Sequence, residues 1–188
     1  MTIYIIEHLE PRLWKWCVIE YKHISQLVRK ENVWFTNLKK GSKELEQYGR
    51  VIPQPVKELS LPRSCLLDPD APITLTPQDA KSFDYFIFGG ILGDYPPKKR
   101  TKKELTPFLP QAQIRNLGKK QFSTDNAVLV TKLIHDGTPL QQISMKYKIE
   151  IPTGKHESVI LPYQYVLRDN KPFISEELIA YLKRKKGL

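Results

Sequence analysis

The stretch from Phe83 to Gly93, Phe-Asp-Tyr-Phe-Ile-Phe-Gly-Gly-Ile-Leu-Gly, restricts the fold of this chain more than any other. Tyr85 to Phe88 is a continuous apolar run. That is the pattern of a strand buried on both faces, not of one alternating between core and water. The run stops at Gly89-Gly90, where the missing Cβ frees the backbone and lets main chain approach a ligand closely. In isolation a glycine pair marks a tight turn. After a buried parallel strand it also stands where open α/β sheets place small-molecule sites.

The flanking sequence alternates strands with helices. Ile3 to Glu7 reads as an opening strand. Trp14 to Lys30 carries Trp14, Cys17, Val18, Tyr21, Ile24, Leu27 and Val28 at helical spacing, which puts Trp14 on the core stripe. Val33 to Leu38 is a second strand, and Ser42 caps a short helix ending at Gly49. Val51 to Pro62 holds three prolines and reads as an irregular connector. Ser64 to Leu67 is a third strand. Thr76-Pro77-Gln78-Asp79 has the cap, the first-turn proline and the acid of a helix start. Gln113 to Leu117 is a further strand, and Ser123 opens a helix stopped by Gly137. This alternation predicts an α/β protein with a parallel sheet and helices on both faces. Beyond Gly137, Tyr147–Ile151 and Ser158–Leu167 alternate like strands, Asp169-Asn170 reads as a turn, and Ser175 opens a last helix. The expectation is one domain, 1–188, with a core over 1–137 and a small appended β unit with the last helix over 138–188.

Charge and cysteine content narrow the function classes. The chain of 188 residues carries a formal net charge of +10, which favours polyanionic surroundings such as RNA or a ribosome. One basic cluster, Lys98-Lys99-Arg100 with Lys102-Lys103, follows the glycine loop directly; another, Lys183 to Lys186, lies at the last helix. Cys17 and Cys65 are far apart, and four scattered histidines make no metal-ligand spacing, so no metal site is expected. No run approaches the roughly 18 apolar residues of a membrane span. The first residues lack the layout of a signal peptide, and a cytoplasmic protein is the expectation.

Several blocks carry a resemblance: Ile5-Ile6-Glu7-His8, Cys65-Leu66-Leu67-Asp68-Pro69, Phe83 through Pro97 with its Phe-Gly-Gly-Ile-Leu-Gly-Asp-Tyr-Pro-Pro run, and Leu117-Gly118-Lys119-Lys120-Gln121. They resemble the SPOUT methyltransferases, in the branch that holds a fungal arginine methyltransferase of a small-subunit ribosomal protein and its archaeal homologues. The resemblance spans nearly the whole chain. It implies a C-terminal trefoil knot and S-adenosylmethionine as cofactor. Three strand-end loops would hold that cofactor: Leu67, Asp68 and Pro69; Phe88, Gly89, Gly90 and Gly93; Leu117, Gln121, Phe122 and Ser123. Each residue has a plainer reading, Phe122 as a hydrophobic staple and Ser123 as an N-cap.

With arginine as acceptor, carboxylates must hold a guanidinium that stays protonated in water. Glu7 and Asp94 are the candidates, with His8 as a possible base; a solvated strand end, a turn acid and a structural histidine are their alternatives. The implied partner is a small-subunit ribosomal protein or the ribosome, with RNA contacted through Lys98–Lys103. Most SPOUT enzymes dimerise, whereas the fungal relative suggests a monomer. Two other functions stand beside this one: an RNA methyltransferase acting on rRNA or tRNA, and a non-catalytic RNA- or ribosome-binding module.

Overall fold

Apolar runs too short for helices and buried on both faces can satisfy their backbone only by pairing with one another. A computed structural model describing residues 2–38, 42–93, 96 and 98–184 has them do so. Strands β1 (Ile3–His8), β2 (Val33–Thr36), β3 (Arg50–Val51), β4 (Ser64–Leu67), β5 (Tyr85–Gly90) and β6 (Gln113–Arg115) form one sheet in the order β3-β2-β1-β5-β4-β6. Every pairing is parallel. All six residues of β1 are buried, as befits a strand paired along both edges.

Alternate residues of β1 face different cores. Tyr4 and Ile6 pack with Phe86 and Phe88 against α1 (Lys15–Val28), α2 (Pro77–Ala80) and α4 (Thr124–His135). Ile3 and Ile5 pack with Leu66 and Ile87 against Val56, Leu61, Leu105, Leu109 and Ala112. Full helices therefore cover one face. The other, expected to carry helices too, is closed by the connector after β3, by α3 (Arg100–Glu104) and by single 3-10 turns. Three prolines in that connector explain the difference, since each removes a helix donor.

The C-terminal segment forms a three-stranded antiparallel sheet, β7 (Met145–Pro152), β8 (Ser158–Arg168) and β9 (Lys171–Pro172), followed by α5 (Glu176–Arg184). Asp169 and Asn170, at φ 50° and 60°, make the tight left-handed turn between β8 and β9. This sheet and α5 pack on Ile19 and Trp16 of α1. Helix α1 thus has two apolar faces, and the single stripe read from periodicity missed the second. Trp14, placed on that stripe, is instead the N-cap residue and 44% exposed. Chain direction at the helix start, not periodicity, decides where its ring goes.

Two more local expectations divide. Thr76 Oγ1 accepts the Asp79 amide at 3.2 Å with Pro77 beginning the helix, as read. Ser42 makes no side-chain cap and leads only a 3-10 turn, Lys43–Leu45.

Gly90 is required by a close approach. A Cβ there would lie 2.3 Å from the Tyr21 hydroxyl oxygen and 3.0 Å from the Glu7 carbonyl oxygen. Tyr21 is itself fully packed and cannot yield. Gly90→Val should therefore lower the unfolding free energy by about 1–3 kcal/mol, measured by urea denaturation; an unchanged midpoint would refute this packing.

Candidate active site

The chain leaves β1 towards β2 on one side and returns through β4 to β5 on the other. That makes the gap beyond the carboxyl ends of β1 and β5 a topological switch point, where α/β sheets bind ligands. In register there, Glu7 lies opposite Gly89 and Thr36, and His8 opposite Gly90.

Glu7 ends the face that runs Ile3, Ile5, Glu7. It is 3% exposed, which rules out the solvated strand end. Thr36 donates to its Oε2 at 2.5 Å and the Val56 amide donates to the same oxygen at 2.9 Å. Among the described residues Oε1 takes no hydrogen bond. Burial pushes the Glu7 carboxyl above the ordinary carboxylate range, and the hydrogen bonds from Thr36 and Val56 only partly oppose this. The side chain lines a cleft of about 570 Å³, walled by Leu9, Asn37, residues 53–58, Glu104, Leu105, Phe108 and Leu109. Glu7, Glu58 and Glu104 give the lining an acidic character against one cation, Lys57, in a chain whose net charge is +10.

His8 takes the other face. Its Nδ1 is 2.9 Å from the Tyr21 hydroxyl, and burial lowers its pKa. It shares a strand end with Glu7 but not a side of the sheet. Asp94 lies outside the described residues.

The three loops expected to hold a cofactor do meet. The first and third are laced by hydrogen bonds: Asp68 N to Arg115 O at 2.9 Å, Asn116 Nδ2 to Ala71 O at 2.8 Å, and Asn116 N to Ile73 O at 2.8 Å. The second touches the third where a Cβ on Gly93 would fall 1.8 Å from Gln121 Nε2. Gly118 has φ +97°, a conformation that suits glycine. Within this frame the candidates differ. Leu67, Phe88 and Leu117 are buried core residues. The Asp68 carboxylate accepts the Asp70 amide at 2.9 Å and the Thr106 hydroxyl at 2.7 Å, so it shapes its own loop, which continues through Pro69. Gly89 would meet Ile91 and Thr101, and Gly90 faces Tyr21. Gln121 accepts the Gln164 amide on its carbonyl at 2.8 Å, and Phe122 bridges to Gln164. Ser123 is buried and donates to Asp125 Oδ1 at 2.6 Å; it makes no cap to the helix backbone.

Sequence reasoning missed the support behind the third loop. Asp125 also meets His23 Nδ1 at 2.7 Å, while Asn126 donates to Phe173 O and accepts the Val166 amide. Glu20, bonded by the Trp16 indole at 3.0 Å, is pushed up to about 8 by burial and then by the nearby Asp125. A Ser-Thr-Asp-Asn run at a helix start was the available signal, but it reads first as capping. The basic segment also differs from expectation. Lys99 pairs with Asp70 at 2.9 Å, and Arg100 pairs with Glu10 and Glu104. Only part of its charge faces outward.

A parallel sheet with three interlaced loops at its carboxyl ends is the frame of an α/β enzyme that binds its ligand at the strand ends, and the family match below makes that enzyme a SPOUT methyltransferase. The chain belongs to the SFM1-like family, protein arginine N-methyltransferase SFM1-like, whose model matches residues 3–187. It is 36% identical over 200 residues to protein arginine N-methyltransferase SFM1 of Saccharomyces cerevisiae, covering 96% of this chain and 94% of that protein. The crystal structure of the yeast arginine methyltransferase SFM1 complexed with SAH superposes with a TM-score of 0.88 at 37% identity, over 96% of this chain and 94% of that one. The same enzyme complexed with SAM gives 0.88 at 36%, over 97% and 90%. A dual-specific Trm10 from Thermococcus kodakaraensis, at 17% identity and a TM-score of 0.57 over 76% and 96%, shares the fold.

The Thr36 bond to Glu7 gives a prediction whose sign follows from linkage. Glu7 binds its proton more tightly folded than unfolded, so its contribution to stability falls as pH rises from the ordinary carboxylate pKa through the raised one. Thr36→Val removes a donor to the charged form and raises that pKa further. The variant's stability deficit should therefore be larger at pH 7 than at pH 3, where Glu7 is protonated in both states. Equal deficits in urea unfolding at the two pH values would rule this out.

Proposed function

We propose that the protein is an S-adenosylmethionine-dependent methyltransferase whose acceptor is an arginine of a protein substrate, and that the arginine enters the Glu7 cleft. The observation that carries this reading is the buried Glu7 carboxylate, held on Oε2 and, among the described residues, without a hydrogen bond on Oε1, at the switch point of the sheet. The yeast relative, an arginine methyltransferase crystallised with SAM and SAH, supports the same chemistry. S-adenosylmethionine would lie among the loops of residues 67–69, 88–93 and 117–123, where Gly89, Gly93 and Gly118 let main chain close on it. Residues 67, 88 and 117 supply apolar walls there.

The chain's own residues would do three things. Glu7 Oε1 accepts a guanidinium N–H in a charge-assisted bond and fixes the nitrogen that is to react. The walls at Val56, Leu105 and Phe108 exclude water, which strengthens that bond. In-line displacement then forms the N–CH3 bond while the S–CH3 bond breaks, its electron pair remaining on sulfur. The methylated guanidinium sheds one proton to solvent or to a carboxylate. Positioning carries much of the rate in such a step. Glu104 is paired with Arg100, but Glu7 and Glu58 still face the single lining cation Lys57, and this lining supports a cationic peptide over a phosphate backbone as acceptor.

Two finer statements belong to this reading. The segment 117–123 threads a loop of the backbone to form a trefoil knot; Gly93 against Gln121 supports the contact such threading needs. The substrate is a small-subunit ribosomal protein, with the exposed Lys102 and Lys103 near ribosomal RNA.

Small ribosomal subunits incubated with labelled S-adenosylmethionine should carry label in protein, recovered as methylarginine on hydrolysis. Glu7→Gln should lower turnover roughly ten- to a thousandfold, about 1.4–4 kcal/mol, while leaving S-adenosylhomocysteine affinity nearly unchanged. Label confined to RNA, or wild-type turnover in the variant, would overturn the arginine assignment.

A further inference from the structure

Resting on the reading of the glycine loop as part of the cofactor site, we infer that Arg100 is a positioning residue for that loop, acting through the carboxylate of Glu10. A backbone run rich in glycine has more freedom to lose on ordering than any other, so it holds a shape only where something outside it fixes its polar groups. Among the described residues, three such ties reach residues 90–93. The Leu9 amide donates to Gly90 O at 3.2 Å, the Leu92 amide donates to Glu10 Oε1 at 3.0 Å, and the Tyr163 hydroxyl donates to Gly93 O at 2.8 Å. The middle tie is the one that runs through a charge.

Glu10 stands after β1 on a bend without regular secondary structure, so its own backbone does little to fix the carboxylate. Arg100 fixes it. Its Nη1 donates to the same Oε1 atom at 2.6 Å. Its Nη2 donates to Leu9 O at 2.9 Å, so the guanidinium also grips the main chain beside Glu10. From the other side Nε and Nη2 make a two-pronged contact with Glu104, at 2.8 and 3.2 Å. The Arg100 side chain is 21% exposed and that of Glu10 11%, so water screens the pair poorly. Four hydrogen bonds in three directions need the planar fork of a guanidinium. An ammonium on a flexible stem supplies a point charge and not that geometry.

The placement has a second consequence. Glu104 and Leu9, the residues Arg100 grips, both line the Glu7 cleft. The same guanidinium therefore braces the loop beside the cofactor and a wall of the proposed acceptor cleft. A loop held in its bound shape before the ligand arrives spares the ligand the ordering cost, which appears as affinity.

Calorimetry with S-adenosylhomocysteine, paired with hydrogen exchange over residues 89–93 in the free protein, tests the assignment. Arg100→Lys should weaken S-adenosylhomocysteine binding about tenfold or more. It should raise the KM for S-adenosylmethionine more than it lowers kcat, and speed amide exchange in the glycine loop of the free protein. Glu10→Gln, whose amide oxygen still accepts from Leu92, should lose less affinity than Glu10→Ala. A merely structural Arg100 would lower the melting temperature and leave the affinity of the folded protein and the Gln/Ala difference unmoved. Wild-type affinity and wild-type loop exchange in Arg100→Lys would overturn the inference. No binding by the unmutated protein would instead remove the cofactor reading, and loop exchange would still decide whether Arg100 braces the loop.

Discussion

The site depends on the placement of β1 between β2 and β5. Its backbone is paired on both edges, so the strand has no freedom to slip, and a one-residue shift would exchange its two cores. Tyr4 and Ile6 are held to the helical face, Ile3 and Ile5 to the other. The next two residues, Glu7 and His8, inherit those directions at the point where the core ends. That inheritance sends a carboxylate into the cleft and an imidazole onto Tyr21. It also explains the raised Glu7 pKa, because the side chain has to point where the sheet sends it and lose water in doing so. Thr36 from β2 and Val56 from the connector supply the hydrogen bonds that make this tolerable.

Features set by neighbours in sequence could be read directly. The bounds of β4, Ser64–Leu67, the Thr76 cap with Pro77, and the Asp169-Asn170 turn each follow from a few adjacent residues. What could not be read depends on partners far along the chain. Glu20 and His23 look like the polar side of a surface helix. They are buried because residues 123–126 and the antiparallel sheet cover them. Asp125 lies 102 residues from His23, and no periodicity links the two. The run Lys98–Lys103 reads as a basic patch for RNA beside the glycine loop, yet Arg100 points inward, because Glu10 waits 90 positions earlier.

The candidate site was legible to a different depth in each part. The apolar run and its glycines mark the strand end on physical grounds, and the resemblance to SPOUT enzymes says which loops converge there. Neither disclosed the walls of the cleft. Residues 53–58 come from a proline-rich connector with no pattern to mark it as a pocket, and residues 104–109 come from turns too short for periodicity. Glu7 was identifiable as a strand-end carboxylate. Its burial was not, since that rests on Val56 and Leu105 closing the second face. Likewise the hydrogen bonds from β8 onto the second and third loops, through Tyr163 and Gln164, tie the C-terminal sheet to the cofactor region in a way no local signal announces.

Net charge and cleft charge have opposite signs here, and screening reconciles them. At physiological salt the Debye length is about 8 Å, so exposed lysines act on a large anionic particle at close range and are largely screened beyond it. Under the proposed function, exposed residues such as Lys102, Lys103, Lys119 and Lys120 would serve that approach. Glu7 works at contact distance inside a partly desolvated cleft, where water and ions weaken its field far less. Under the proposed function, a basic protein with a buried carboxylate in its cleft can settle on a polyanion and still draw a single guanidinium out of it. Under the proposed function that is the division of labour a ribosomal substrate demands. Surface lysines would set the rate of encounter and its salt dependence, and Glu7 would decide which side chain reacts.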